Sequence, residues 1–217
     1  MKRNSDVKLS ESLALHKNWV ASAGKAGKQL VLEDADLSNF DLSNADLAEA
    51  FLPGVNLNNA TLRQADLFGV NLASASLRQA DLSEALLNKS NFDGAVLSKA
   101  NLWRAKIIRA SFVDADLHEA DLREADLTKS NFSGANLEGA VLCGAKLEKT
   151  TLTGARLFRA DLSGMHGLNH LAAEWIDVGA EDDSVILTGN EIQEWLNRAK
   201  KENSPKTPRA VFAVQHA

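Results

Sequence analysis

The amino-acid sequence predicts an all-β solenoid, a chain coiled around a narrow apolar axis. A large apolar residue occupies every fifth position from Leu32 to Leu162, and a small residue, usually Ala, stands two positions before it. Asp or Asn commonly lies between the two. A period of five fits neither a helix of 3.6 residues per turn nor a strand whose side chains alternate between two faces. It fits a chain that bends through a constant angle at every fifth residue and keeps each Leu inward.

The composition agrees with such an interior and excludes several classes of protein. Hydrophobic residues make up 45% of the 217 residues, yet aromatic residues make up only 6%, so the core must consist of small and regular side chains. A single cysteine, Cys143, excludes an internal disulfide framework and fits a reducing compartment. The first residues show no apolar signal region, and no stretch is apolar enough to span a membrane. The net charge of −5 argues against direct nucleic-acid binding, so we expect a cytoplasmic protein.

A second period, four times as long as the first, indicates that four repeats complete one coil. Phe92, Phe112 and Phe132 replace Leu in every fourth repeat, so we expect their rings to stack as a ladder in the core of one wall. The repeats of residues 31–164 then correspond to about seven coils. At a spacing of about 4.8 Å per coil, the rod would be about 32 Å long.

The Ala-(Asp/Asn)-Leu-x-x motif of residues 31–164 resembles the repeats of the pentapeptide-repeat family, in particular its bacterial members. The resemblance implies a right-handed, quadrilateral β-helix with four repeats in each coil. It also implies one kind of function, because some members of the family bind DNA gyrase or topoisomerase IV and protect the enzyme from quinolones or toxins, with a rod that resembles B-form DNA in width and negative charge.

The two ends of the chain are predicted to form helical caps, because an open solenoid exposes its core and its strand edges. In residues 1–30, Leu9, Leu13, His16 and Val20 share one face of a capping helix. Residues 165–202 are predicted to form a C-terminal helical cap, with a short helix at 168–176, a possible last strand at 185–187 and a final helix. Residues 203–217 are expected to be a flexible tail. The apolar stripe of the final helix either closes the rod or forms a homodimer contact, and consists of Ile192, Trp195 and Leu196.

No constellation of residues predicts catalysis, a cofactor or a metal. His166, His170 and Glu174 would share one face of a helix, which is the spacing of a metal site, but Gly167 weakens that helix and no fourth ligand is apparent. The many Asp residues recur with the repeat and are not paired for acid–base chemistry. We therefore expect a protein that is not an enzyme.

The surface of the predicted coil can be read as columns formed by every fourth repeat. One wall combines basic residues with outward-pointing apolar residues, and we take it as the candidate interaction face: Lys89, Arg109, Lys129, Lys149, Lys106, Lys146, Phe68 and Ile108. An adjacent wall is acidic at Asp41, Asp81, Asp121 and Asp161. The alternative to a binding face is a set of solvated lysines with no partner.

Two functions remain open from the sequence. The first is a rigid, non-catalytic scaffold that binds an unknown protein partner through its walls. The second is a DNA-mimicking modulator of DNA gyrase or topoisomerase IV. Residues 31–164 contain 13 Lys and Arg against 19 Asp and Glu, and the basic column interrupts the uniformly negative surface that a DNA mimic requires.

Overall fold

The computed structural model describes residues 4–180 and 183–201, and the predicted flexible tail of residues 203–217 lies outside them. Successive coils pair in parallel through single bridges between equivalent residues four repeats apart, from Val31 with Phe51 to Lys146 with His166. Each bridge involves one residue per repeat, so the walls contain bridges rather than long strands. Four five-residue repeats complete each coil, as the second period of the sequence predicts.

One repeat, residues 116–120, shows why the sequence has its five-residue pattern. The Leu117 side chain fills the axis, and the Ala120 amide donates to the Leu117 carbonyl at 3.0 Å to close a turn. Glu119, the third residue of that turn, has a φ of 54°, as a type II turn requires. The Asp116 carboxylate accepts from the His118 amide at 3.1 Å, which explains the preference for Asp or Asn at this position. The same oxygen accepts from Asn136 of the next coil at 3.0 Å.

The core is a continuous column of aliphatic side chains that contains one aromatic ladder. Phe92, Phe112 and Phe132 are fully buried, and their ring centroids are 4.7 and 4.8 Å apart with 6° between neighbouring ring planes. The small residue of each repeat is buried beside the turn from Ala50 onward, and Ala35 and Ala45 of the first coil are partly buried. Where this residue is Thr150 instead of Ala, its hydroxyl donates to the Leu127 carbonyl at 2.8 Å, so the buried polar group has a partner.

The N-terminal helix α1, Asn4–Ala21, packs on the first coil. Leu9 and Leu13 contact the core, and His16 is fully buried. The His16 Nδ1 atom accepts a hydrogen bond from the Leu30 amide at 2.9 Å, which joins the helix to the start of the solenoid. Gly27 has a φ of 76° and lies so close to the helix that a Cβ atom would come within 2.2 Å of the Leu15 carbonyl oxygen.

This contact makes the docking of α1 sensitive to acid. Burial lowers the pKa of His16 below its usual 6.5, although the nearby Asp46 carboxylate opposes the shift. A neutral imidazole is required because Nδ1 acts as an acceptor. The unfolded chain binds more protons than the folded chain between the lowered pKa and 6.5, so the stability contributed by His16 is complete above about pH 6.5 and declines below it.

We therefore expect the docked helix to weaken as the pH falls from 7.5 to 5.5. An NMR titration should show the His16 ring titrating below 6.5, with the Leu30 amide resonance following the same midpoint. In a His16→Asn variant the side-chain oxygen keeps an acceptor without titrating, so the Leu30 resonance should no longer respond to pH over this range. A His16 midpoint at or above 6.5 would contradict the interpretation.

The C-terminal region differs from its prediction. The parallel ladder does not end at residue 164, because Thr151 pairs with Ala172 and Arg156 with Asp177. Each of these two separations is one residue longer than the regular one, so the coil absorbs an extra residue at Gly167, where φ is 81°, and in the 3₁₀ turn Leu168–His170. The helix predicted at 168–176 is therefore wrong. The first residues of that segment form the 3₁₀ turn, and the residues after the turn are extended and pair with the preceding coil.

A small antiparallel sheet and a second helix follow. Strand β1, Trp175–Asp177, pairs with strand β2, Ile186–Thr188. Strand β2 is the strand predicted at 185–187, shifted by one residue. Helix α2, Asn190–Ala199, buries its whole apolar stripe against the core. Its C-terminal end contacts the last regular repeat, where the Gly164 amide donates to the Lys200 carbonyl at 3.0 Å. Among the described residues, no helix is long and apolar enough to cross a bilayer.

Candidate interaction surface

The basic column, which we define as Lys89, Arg109, Lys129 and Lys149, lies along one wall of the rod. The Lys89 amide donates to the Ile108 carbonyl and the Arg109 amide to the Thr128 carbonyl, both at 3.0 Å, so consecutive members stand on adjacent coils. Each is the third residue of a turn, with φ between 58° and 63°, and each is exposed. The sequence-based prediction that these residues share one column is consistent with this geometry.

The members of the basic column form no ion pair within the part of the chain that the structure describes. Cations at the equivalent turn position of two other walls behave differently: Lys99 is on the opposite wall and Arg104 is on a neighbouring wall. Lys99 lies 3.3 Å from the Glu119 carboxylate of the next coil, and Arg104 lies 2.8 Å from that of Glu124. The hydrogen bond from Arg104 lowers the pKa of the Glu124 carboxyl. Opposite charges therefore stand on successive coils at those turn positions, whereas like charges follow one another along the basic column.

Apolar side chains lie within the same wall. The Lys89 ammonium stands 5.1 Å from the centre of the Phe68 ring, a cation–π distance. Phe68, Leu86 and Ile108 are each partly exposed. Of the other two predicted basic residues, Lys146 lies 3.9 Å from Asp126, whereas Lys106 is exposed with no ion pair in the described chain. The wall thus offers unpaired positive charge beside a modest apolar area.

The acidic wall uses its carboxylates internally. Asp41, Asp81 and Asp161 each accept the amide two residues ahead, at 2.9 to 3.0 Å. Burial by itself would raise the pKa of Asp121, but hydrogen bonds and the positive charge of Arg123 outweigh that effect and lower it. Hydrogen bonds from Ser43 likewise lower the pKa of Asp41. These carboxylates hold turns together, and Arg123 and the Arg104 of the same wall reduce the negative charge that the wall presents.

The histidines of the proposed metal spacing do not converge. His166 belongs to the parallel ladder and pairs with Lys146, while His170 ends the 3₁₀ turn with its Nε2 atom 3.9 Å from Glu148. Glu174 lies beyond the turn, and its amide donates to the Thr153 hydroxyl. The helix that would align these three side chains does not form. In residues 4–180 and 183–201, no three His, Cys, Asp or Glu side chains lie close enough together to hold a metal ion.

The candidate dimer stripe is occupied within the chain. Ile192, Trp195 and Leu196 are 2%, 3% and 0% exposed and belong to the same core cluster as the solenoid leucines. Their burial favours the capping alternative, because a homodimer contact would need these side chains at the surface.

One apolar surface is absent from the sequence-based prediction. Trp175 and Ile186 are 41% and 47% exposed on the outer face of the β1–β2 pair, and Trp175 also packs against Gly154. Assigning residues 168–176 to a helix hid this surface. The buried Ile176 and Val178, two residues apart, are the signal of a strand that could have revealed it.

Comparisons with known proteins agree with this geometry. A family model described as pentapeptide repeats matches eight copies over residues 31–64, 65–104, 95–134 and 125–164. Two trypsin-treated structures of QnrB1, a plasmid-mediated fluoroquinolone resistance protein, are 20% and 18% identical to the chain, with TM-scores of 0.57 and 0.55. The alignments cover 62% and 64% of this chain and 69% and 77% of QnrB1.

A pentapeptide repeat protein from the Arabidopsis thaliana thylakoid lumen is 38% identical over 39% of this chain and 63% of its own, with a TM-score of 0.34. No curated protein matches the chain. The repeat model covers most of the chain, and the two QnrB1 structures share its fold. The chain therefore belongs to the pentapeptide-repeat family and has that family's right-handed, quadrilateral β-helix.

Proposed function

We propose that this protein is a non-catalytic scaffold that binds a protein partner through the wall bearing the basic column. The observation that carries the proposal is the absence of ion pairs, within the described chain, at four stacked cations, when cations at the equivalent turn position of one neighbouring wall and of the opposite wall pair with acids. At the ladder spacing, two unit charges in water repel by about 1 kcal/mol. An anionic surface on a partner would remove that repulsion.

The dimensions of the wall indicate what kind of binding to expect. Within one coil, the flat part of the wall is about three residues, or about 10 Å, wide. Along the rod, the basic column is about 14 Å long. A single wall is therefore smaller than the roughly 800 Å² that each partner contributes to a standard interface. Binding through it depends on charge and should weaken as salt is added. The single Cys143 supports placing this activity in a reducing compartment, which we propose is the cytoplasm.

Affinity capture with charge-reversed variants tests the proposal. The wild-type protein should capture the partner, and a variant in which the four members of the basic column are changed to Glu should not. The fold should tolerate this change, because Glu49, Glu84 and Glu119 occupy the same turn position with φ between 54° and 60°. A control with the same net charge reverses four exposed lysines outside the repeats and should capture the partner normally: Lys17, Lys25, Lys28 and Lys201.

The same experiment separates this function from a second candidate, modulation of a type II topoisomerase. The acidic wall and the shared fold with a fluoroquinolone resistance protein favour that candidate. Capture of DNA gyrase or topoisomerase IV by wild type and by the basic-column variant alike, together with a change in supercoiling activity, would support the second candidate over the first. Identical partner sets for all three proteins, with no topoisomerase among them, would remove both.

A further inference from the structure

The basic column has a regular spacing that restricts the shape of an anionic partner. Its members are on consecutive coils, so their turns stand at about 0, 4.8, 9.6 and 14.4 Å along the rod. The backbone hydrogen bonds between these coils, such as that from the Lys129 amide to the Glu148 carbonyl at 2.8 Å, keep the turns in place. A rigid column of charges favours a partner whose charges have the same repeat, because neither side then has to rearrange.

An α-helix has nearly this repeat. With a rise of about 1.5 Å per residue, positions i, i+3, i+7 and i+10 lie on one face at about 0, 4.5, 10.5 and 15.0 Å. Each is within about 1 Å of a member of the basic column, a difference that flexible Lys and Arg side chains accommodate. Same-side residues of an extended strand are about 6.7 Å apart, so the fourth would lie about 6 Å out of step. The spacing therefore favours a helix over a strand.

The surroundings of the column fit a helix laid along the rod. Leu86 and Ile108 are partly exposed on the same wall. They would contact the side chains that lie next to the acidic residues on the surface of a bound helix. On the two coils that precede Lys89, the same turn position holds Gly69 and then Glu49, so the positive charge of the column ends at Lys89. Negative charge is thus favoured along the four coils from Lys89 to Lys149 and disfavoured beyond them.

We propose that the basic column binds an α-helix of a partner protein that carries acidic side chains at positions i, i+3, i+7 and i+10. This inference rests on the proposed protein-binding function and adds the structure of the segment that is recognised. The match of four charges makes the helix a distinct ligand class from an extended acidic tail or a nucleic acid strand.

The probes are two stapled helical peptides of about 18 residues with the same composition. One carries Glu at i, i+3, i+7 and i+10, and the other carries Glu at i, i+2, i+5 and i+8, which spreads the charges around the helix. Fluorescence anisotropy with the full-length protein should show binding about tenfold or more tighter for the one-face peptide at low salt. That difference should disappear at about 1 M salt.

The matched variant changes the basic column to Gln, a residue that Gln64 and Gln79 already place in this turn with φ of 56° and 57°. It should lose the preference for the one-face peptide while keeping the circular dichroism spectrum and melting temperature of the wild type. Equal binding of the two peptides, an unchanged preference in the Gln variant, or tighter binding of a thymidine oligonucleotide would overturn the inference. If the peptides bind equally while the Glu variant still loses its captured partner, the scaffold function stands and the helix does not.

Discussion

Replacing Phe112 by alanine is expected to lower the free energy of unfolding by about 4 kcal/mol. Phe112 is the middle ring of the aromatic ladder, fully buried, with ring centroids 4.7 and 4.8 Å from those of Phe92 and Phe132. Alanine would remove the apolar area of the ring and both stacking contacts, and would leave a cavity that rigid coils on either side cannot fill. Denaturant unfolding followed by circular dichroism measures the loss as a lower midpoint.

The control for this prediction is Phe112→Leu. Leucine occupies the same core position in most repeats, so the coil already accommodates it, and the expected loss is below about 1.5 kcal/mol. The slope of unfolding against denaturant should stay the same in both variants if the whole rod unfolds together. A loss below about 1 kcal/mol for Phe112→Ala, or equal losses for the two variants, would show that the coils relax around the missing ring.

The fold of the repeats is predictable because each local feature has one structural solution. The inward apolar residue recurs at every fifth position without a gap, and Ala and Asp or Asn precede it in most repeats, so one coil determines the next. Asp116 illustrates this, since its carboxylate serves its own repeat and the next coil through Asn136. The position of the turn that has a positive φ is harder to recognise from the sequence, because residues as different as Glu119 and Lys129 occupy it. The hydrogen bonds of the coil, rather than the preference of the residue, determine that conformation.

The candidate site was predictable only in part. Register alone places the four cations in one column. It does not show whether they pair, because pairing depends on which side chains of the neighbouring columns come within reach. Lys146 finds Asp126 at 3.9 Å, whereas Lys129, on the adjacent coil, has no such acid within the described chain. The burial of Trp195 likewise depends on where α2 docks, and an apolar stripe predicts a contact without indicating its partner.

The C-terminal register marks the limit of reasoning from periodicity. A single extra residue ends the five-residue pattern in the sequence, but it does not end the solenoid, because the lost register is recovered within one turn. Glycine makes this recovery possible. Gly167 combines a φ of 81° with a close approach to the previous coil, where no side chain would fit. The ladder resumes at Ala172, which pairs with Thr151 across a separation one residue longer than in the regular coils.

Gly167→Ala should therefore destabilise the last coil by about 3 kcal/mol, through a left-handed conformation that alanine disfavours and through steric overlap. The new Cβ atom would lie 2.6 Å from the Glu148 amide nitrogen and 2.9 Å from its Cα atom, both of which belong to a fixed backbone. Hydrogen exchange measures the effect locally. The amides of Ala172 and Asp177, which donate to carbonyls of the preceding coil at 2.9 Å, should exchange about a hundredfold faster than in the wild type.

Gly164→Ala separates the two causes. Gly164 also has a positive φ, of 65°, but the nearest atom to a new Cβ, the Gly144 amide nitrogen, is 3.7 Å away, so only the conformational cost of about 1 kcal/mol applies. In both variants the Asp116 amide in the middle of the rod should exchange as in the wild type, because each coil contacts only its neighbours. Equal acceleration in the two variants would mean that overlap with Glu148 is relieved by a small shift. Acceleration at Asp116 would mean that the last coil and the middle of the rod open as one unit.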